Sequence, residues 1–408
     1  MNLIPLYEEL FKKPDHTTLE HFCPRSLPFS FLAVALAATM AAGCSKQGNA
    51  SKDSDKFYIG GIGPTTGGAA VYGNAVKNAA QIAVDEINEA GGINGYKIEY
   101  KFEDDEHNAE KSVNAYNSLK DWGMQILMGT VTTDPCKAVV AESGNDNMFQ
   151  LTPSASSTDV IKGKNVFQVC FTDPNQGTAS AKYIGEHKLA SKVAVIYDSS
   201  DVYSSGIYEN FAAEAKNQGF EISTAQTFTS DAKSEFSVQV KACIDSGADL
   251  IFLPIYHQEA SLIIKEASDE GAKVTFFGCD GLDGLLSVDG FDKKLAEGVM
   301  LLTPFSADST EERTAAFVKN YKEKYNDTPN QFAADAYDAI YIIKAAIEKA
   351  DVKPSQSVSE IGDALEKAIT EITYEGITGK GMTWSESGEV NKDLMAVVIK
   401  NGAYVSAE

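Results

Sequence analysis

Residues 57–104, FYIGGIGPTTGGAAVYGNAVKNAAQIAVDEINEAGGINGYKIEYKFED, contain one complete strand–helix–strand unit. FYIGGIGP is an apolar run that enters a Gly/Pro turn, which is typical of a buried strand. Apolar residues then recur at helical spacing from Val76 to Ile87, and Gly91-Gly92 ends the predicted helix. YKIEYKFED follows as a second strand. Two strands joined through a helix predict parallel pairing, with the helix covering one face of a sheet.

The same alternation of strand and helix continues along the chain. Helices are predicted near 109–122 and 134–146, and the rhythm resumes after Asp173-Pro174 and includes two long helices near 310–349. The further strands predicted from apolar runs are QILMGT, MFQLTP, VAVIYD, FEISTAQTF, ADLIFLPIY, KVTFFG, GVMLLTPF and MAVVIK. We therefore predict an α/β protein with two doubly wound parallel-sheet lobes. Ligands of such sheets bind beyond the carboxyl ends of the strands.

The N-terminal segment reads as an export signal. Residues 27–43, LPFSFLAVALAATMAAG, carry no charge and are too few for a membrane span. They end at Cys44 in the sequence AAGC, which resembles the lipobox of bacterial lipoproteins and implies a signal peptide over 1–44 and a lipid on Cys44. The polar residues 45–56 are then a flexible tether. The acidic residues within 1–26 are unlike a basic signal start, so either that region is unusually long or the start site is wrong; a buried helix ending in a chance cysteine is the alternative.

Charge and motifs exclude several classes of function. The 408 residues carry a formal net charge of -23, which repels nucleic acid and anionic lipid headgroups. Four cysteines follow Cys44 without a C-x-x-C spacing, so no metal site is predicted. They form disulfides after export or lie buried as small apolar residues, and spacing does not decide between these. GIGPTTG departs from the dinucleotide fingerprint and no hydrolase motif occurs, so we predict neither an enzyme nor a cofactor.

The loops that follow the predicted strands carry the chemistry. In the first half they offer hydroxyls and backbone N–H groups at helix starts, which suit a carboxylate. In the second half they offer a carboxylate and two tyrosines, which suit an ammonium group. The loops concerned are 61–73, which ends near Tyr72, 130–134, 152–157, 199–203, Tyr256-His257 and Asp280-Gly281. A zwitterion between two lobes would use both sets. The simpler readings are that Asp280 caps a turn, Thr133 is a helix cap and the tyrosines pack in the core.

The chain resembles the type I periplasmic binding proteins of the leucine/isoleucine/valine-binding kind over residues 57–400. GPTTGGAAVYG, DEINEAGGINGYKIE, QLTPSASS and GMTW occur in the order of that family. The resemblance implies that a free L-amino acid, by default a branched-chain one, binds between the lobes. Its carboxylate would be held by Thr133, Ser156 and mainly the backbone of Ser154. Its ammonium would be held by Asp280, Tyr203 and Tyr256, with Tyr72 beside the side chain.

The same resemblance implies an organisation and a role. Lobe 1 would comprise 57–172 plus 306–380 and lobe 2 would comprise 173–305 plus 381–408. Three crossovers near 172–174, 303–306 and 378–382 would form the hinge. The protein would be a monomer, anchored outside the cytoplasm through Cys44, that delivers its cargo to the permease of an ABC importer. A solute-sensing receptor module is an alternative, as is transport of an amide, urea or another small carboxylate.

Two positions depart from the family pattern. Family members often have glutamate where this chain has Asp280, so the ammonium would lie closer or be reached through water. Some relatives have a disulfide between the segments that here contain His107 and Thr132, and this chain has cysteine at neither position.

Overall fold

The computed structural model describes residues 55–407. Strands and helices alternate along this part of the chain. The strands are β1 (Lys56–Gly63), β2 (Lys97–Asp104), β3 (Ile126–Gly129), β4 (Gln150–Thr152), β5 (Val166–Gln168), β6 (Lys192–Asp198), β7 (Glu221–Phe228), β8 (Leu250–Leu253), β9 (Thr275–Gly278), β10 (Met300–Thr303), β11 (Thr383–Trp384), β12 (Val390–Asn391), β13 (Met395–Lys400) and β14 (Ala403–Ser406). The helices are α1 (Ala70–Glu89), α2 (Ala109–Trp122), α3 (Thr133–Asp146), α4 (Asp173–Glu186), α5 (Val202–Ala215), α6 (Ser237–Asp245), α7 (His257–Asp269), α8 (Glu312–Tyr325), α9 (Gln331–Ala350) and α10 (Val358–Ile369).

The strands form two large sheets, which confirms the predicted fold class. The first sheet has the order β2-β1-β3-β4-β5 and all its pairs are parallel. The second has the order β14-β13-β10-β9-β8-β6-β7. Its β13 and β14 are antiparallel, so the second sheet is mixed at one edge. We call each sheet with its helices a lobe, the first and the second.

The reversal between β13 and β14 follows from two residues. Asn401 and Gly402 form the link and have φ values of 52° and 75°. Two consecutive residues of positive φ form a tight hairpin turn, and Asn-Gly adopts it at little cost. The chain therefore folds back beside β13 and does not cross over through a helix.

The chain passes from one sheet to the other after β5, after β10 and after β12. The short hairpin β11–β12 lies against the first sheet, since the Trp384 Nε1–H donates to the Gln168 carbonyl at 2.8 Å. The Gln168 N–H in turn donates to the Gly388 carbonyl at 3.0 Å. The hairpin β11–β12 therefore contacts the first lobe through Trp384 and Gly388, and the chain enters the second sheet after Asn391.

Helices cover the sheets and bury separate cores. α1 and α9 pack side by side within the first core, which includes Phe57, Ile59 and Ile340. Within residues 55–407 no helix is long and apolar enough to cross a membrane. The four cysteines in this part of the chain are buried free thiols, namely Cys136, Cys170, Cys243 and Cys279. The predicted signal segment and Cys44 lie outside the described residues.

Candidate functional site

A narrow cavity lies between the loops at the carboxyl ends of the two sheets. We call it the cleft cavity. Six of the seven residues predicted from the sequence line it, namely Thr133, Ser154, Ser156, Tyr203, Tyr256 and Asp280. Val131, Thr132, Gly281 and Phe332 complete its lining. Tyr72 lies directly behind this lining, with its ring centroid 4.4 Å from that of Phe332.

The first lobe contributes neutral hydrogen-bonding groups. Thr133 is the first residue of α3, so its backbone N–H and that of Asp134 have no partner within the helix. Ser156 is 1% exposed and its Oγ is buried without a hydrogen-bond partner. The Ser154 hydroxyl donates to the Val131 carbonyl at 2.6 Å, so its backbone is the part left for a ligand. A helix start beside an unused hydroxyl is a receptor for a carboxylate.

The second lobe contributes a buried carboxylate. Asp280 is 4% exposed and begins the turn after β9. Its Oδ1 accepts hydrogen bonds from the Tyr203 hydroxyl at 2.6 Å and from the Gly281 N–H at 2.8 Å. Burial raises the pKa of Asp280 to about 6, although these bonds partly counter the rise. Asp280 therefore does stabilise its turn, and it also presents a charge to the cavity.

Aromatic rings form the rest of the wall. Tyr256 stacks on Tyr203 with ring centroids 4.9 Å apart and planes 14° apart. Phe332, in the first turn of α9, adds an apolar face from the first lobe. The cavity thus combines a polar rim at both ends with an apolar wall, which suits a small amphiphilic molecule.

Tyr72 links the two lobes through its hydroxyl. The hydroxyl lies 2.6 Å from the Gly281 carbonyl, 3.1 Å from the His257 backbone N and 2.5 Å from His257 Nδ1. Tyr72 is on α1 of the first lobe, whereas both partners belong to the second. The predicted role beside a ligand side chain remains a prediction, and the hydroxyl has a structural use that the sequence did not indicate.

Two further residues beside the site were not predicted from the sequence. Asp173 begins α4, and its Oδ1 is buried without a hydrogen-bond partner. Burial raises the pKa of Asp173 well above its ordinary value. Gln176, one turn later, accepts a hydrogen bond from the Asp280 N–H at 3.2 Å. An Asp before a Pro is a common helix start, and that signal was taken as a boundary between lobes.

A hydrogen bond joins the loop after β2 to the residue that precedes α3. His107 Nδ1 lies 2.9 Å from Thr132 Oγ1. The His107 ring also meets Tyr256 edge-on, with centroids 5.6 Å apart. These contacts connect the loop after β2 to the rim of the cleft cavity.

The arrangement is suited to binding. The two walls offer opposite polarity to one small molecule, which a carboxylate and an ammonium group on the same carbon would match. Within residues 55–407 no group of His, Cys, Asp and Glu side chains could hold a metal ion.

The chain is similar to known solute-binding proteins along most of its length. The family described as periplasmic binding protein matches residues 56–403. The Leu/Ile/Val-binding protein homolog 3 of Brucella melitensis is 31% identical over 353 residues, which are 84% of this chain and 91% of that protein.

Solved structures give the same result. The branched-chain amino acid transporter substrate binding protein LivJ from Streptococcus pneumoniae, in complex with isoleucine, has a TM-score of 0.78 and 27% identity, covering 86% of this chain and 99% of that one. The leucine binding protein LivK from Thermotoga maritima has a TM-score of 0.76 and 25% identity, covering 86% and 98%. These relatives bind solutes and are not enzymes. The chain therefore belongs to the type I periplasmic binding proteins of the Leu/Ile/Val-binding family.

Proposed function

We propose that this protein binds a free L-amino acid in the cleft cavity and delivers it to the membrane subunits of an ABC importer. The observation that carries the proposal is the buried Asp280 facing hydroxyls across the cavity. Among residues 55–407 no cationic side chain accounts for the charge of Asp280. A buried carboxylate without a cation is costly, and the ammonium of an amino acid would offset that cost.

Each end of the amino acid then has a set of partners. The ammonium meets Asp280 and the two stacked tyrosines. The carboxylate meets the start of α3 and the unused hydroxyl of Ser156.

The cargo we propose is a branched aliphatic amino acid. Its apolar side chain would lie along Phe332 and Tyr72, which have only apolar ring faces to offer there. The relatives named above support this class, since one of them is in complex with isoleucine.

The surroundings of the protein follow from the family. Periplasmic binding proteins work outside the cytoplasm, and we propose that this one is a monomer held at the membrane by a lipid on Cys44. Replacing Cys44 with serine should release the protein from the membrane fraction without changing cargo affinity. A variant that stays in the membrane fraction contradicts the anchor.

We further propose the division into lobes. The first lobe comprises 57–172 plus 306–391 and the second comprises 173–305 plus 392–408, with the hinge at the three passages. Closure of these lobes around the cargo excludes water and completes the contacts.

Isothermal titration tests the function. Protein stripped of bound cargo by unfolding and refolding is titrated with each of the twenty L-amino acids, with their amides and with urea. We expect micromolar or tighter binding of leucine, isoleucine or valine, and much weaker binding of leucinamide, which lacks the carboxylate. Binding of the amide alone, or of none of the amino acids, would contradict the proposal.

A further inference from the structure

We propose that His257 is a positioning residue for cargo binding, which holds the two lobes together through the hydroxyl of Tyr72. This inference rests on the proposed function, because the closed form is the one that surrounds the cargo. We call the contacts of Tyr72 with His257 and Gly281 the interlobe latch. His257 itself does not line the cleft cavity.

The latch joins two separately packed cores. Tyr72 is 0% exposed and lies in the first core, on the helix that packs against α9. His257 is 2% exposed and is the first residue of α7, which packs in the second core. Opening of the lobes must therefore separate the Tyr72 hydroxyl from both of its partners.

The available protons decide which groups of the latch donate and which accept hydrogen bonds. The Gly281 carbonyl can only accept, so the single proton of the Tyr72 hydroxyl points to it across 2.6 Å. The hydroxyl then accepts from the His257 backbone N–H at 3.1 Å and from Nδ1–H at 2.5 Å. His257 is thus neutral with its proton on Nδ1, and burial lowers its pKa to about 4.

This pattern uses every hydrogen-bonding position of the Tyr72 hydroxyl. One proton and two lone pairs meet three groups of the second lobe. The hydroxyl is therefore not available to a cargo, and its contribution to affinity is to the stability of the closed form. His257 supplies two of the three bonds.

The backbone packs closely around the latch and so keeps its groups in contact. A Cβ atom at Gly284 would lie 3.1 Å from Val71 Cγ1 and 3.4 Å from the His257 ring. Gly284 has a φ of 152°, which favours glycine. The turn after Asp280 can therefore approach α1 directly beside the latch.

The latch shifts the population of the closed form. Where only a small fraction of the cargo-free protein is closed, a variant that lowers this fraction raises the apparent Kd by the same factor. Removal of one buried hydrogen bond changes an equilibrium by about tenfold, which is about 1.4 kcal/mol. The same factor applies to every cargo when His257 is replaced, because the His257 side chain does not line the cleft cavity.

Three variants test the role of His257. His257→Leu removes the Nδ1–H with little change of volume, and His257→Asn places an amide N–H near the same position. His187→Leu is the matched control, since His187 is exposed at the end of α4. For each variant, the Kd of leucine, isoleucine and valine is measured by titration, and the rates by stopped flow.

We expect His257→Leu to weaken all three cargoes by the same factor of about ten, through faster dissociation at an unchanged association rate. His257→Asn should recover most of the affinity and His187→Leu should equal the wild type. Unchanged affinity in His257→Leu overturns the inference. So does a loss that differs among the three cargoes, or one that His257→Asn does not reverse.

A measurement without cargo separates this inference from the proposed function. The His257 backbone N–H is the first of α7 and has the Tyr72 hydroxyl as its acceptor. Its hydrogen exchange should therefore quicken in Tyr72→Phe. If the wild type binds no amino acid, the proposed function fails while this exchange still reports on the latch. Equal exchange in wild type and Tyr72→Phe, in the cargo-free and in the leucine-bound proteins alike, shows that the latch does not form.

Discussion

Replacement of Asp280 by asparagine should separate the charge of the site from its shape. The side chain is 4% exposed, and its Oδ1 bonds to Tyr203 and Gly281 can persist with an amide oxygen. The charge is lost. Two unit charges 4 Å apart attract by about 4 kcal/mol at an effective dielectric constant of about 20, before desolvation is subtracted. Loss of one partner of a buried pair typically costs about 2–4 kcal/mol, so the Kd for leucine should rise roughly 30- to 900-fold.

The same replacement of Asp280 should increase the stability of the cargo-free protein. Burial already raises the pKa of Asp280 to about 6, so ionised Asp280 destabilises the closed, empty protein near neutral pH. Asp280→Asn should therefore melt at a higher temperature than the wild type at pH 7.5 while binding cargo more weakly. A misfolded variant would instead show both a lower melting temperature and weaker cargo binding.

Asp283→Asn is the matched control for this charge change. Asp283 is three residues further on and 6% exposed, and burial raises its pKa to about 7. It accepts a hydrogen bond from the Gln331 N–H and lines a separate cavity of about 510 Å³. Its replacement should leave the Kd unchanged in the same titration. The reasoning is refuted if Asp280→Asn binds leucine as the wild type does, or if both variants lose affinity equally.

The other expectations concern the opposite wall, the hinge and pH. Ser156→Ala should weaken cargo binding about 10- to 100-fold by titration, the scale for a hydrogen bond to a charged group. The side chain of Lys392 is fully buried and its Nζ lies 2.6 Å from Asp335 Oδ1. Lys392→Met should therefore lower the free energy of unfolding in urea by about 3–5 kcal/mol, with partial recovery when Asp335→Asn is added. Burial raises the pKa of Asp105 and of Asp201 to about 7. The folded protein thus keeps protons that the unfolded chain releases near pH 4, and the melting temperature of the free protein should fall as pH rises from 6 to 8.

The sequence was sufficient to locate the site because two simple signals agree. Apolar runs marked the strands, and parallel strands bring the loops at their carboxyl ends to one edge. Ser156 and Asp280 are far apart in the chain, and this rule together with the family resemblance predicted that they share a cleft; both line the cleft cavity. A glycine of positive φ follows four of the ten helices in residues 55–407, as at Gly123, which follows α2 with a φ of 100°.

Shorter elements and edge pairing could not be predicted in this way. β5 has only three residues, too few to show a period. α4 begins at Asp173-Pro174 and continues with Gly, Thr and Ser, so its helical pattern was weak and it was read as a boundary. The last predicted strand, MAVVIK, coincides with β13, whereas β14 was not predicted. The antiparallel direction of β13 depends on how the β11–β12 hairpin places the chain, and that hairpin is held by a tertiary contact through Trp384.

The partners of the Tyr72 hydroxyl were likewise beyond the sequence. Tyr72 and His257 are 185 residues apart, and a histidine next to Tyr256 has no local signal for an interlobe contact. The structure shows that His257 is buried, with its Nδ1 against the Tyr72 hydroxyl. The His257 ring meets the Tyr72 hydroxyl only because the two lobes pack their cores close together.

Two opposing contributions then set how far the empty protein closes. The interlobe latch favours closure, whereas burial of ionised Asp280 between the lobes opposes it. The ammonium of a cargo cancels the opposing contribution, which is how binding shifts the population. Cargo-free Asp280→Asn should therefore be more compact than the cargo-free wild type at pH 7.5, and His257→Leu should be no more compact than the wild type. Lowering the pH to 5 protonates Asp280 below its pKa of about 6 and should bring the wild type toward the variant. The radius of gyration from small-angle X-ray scattering measures this directly. If Asp280→Asn is no more compact than the wild type at either pH, the charge of Asp280 does not control closure, and the cargo must act through its other contacts.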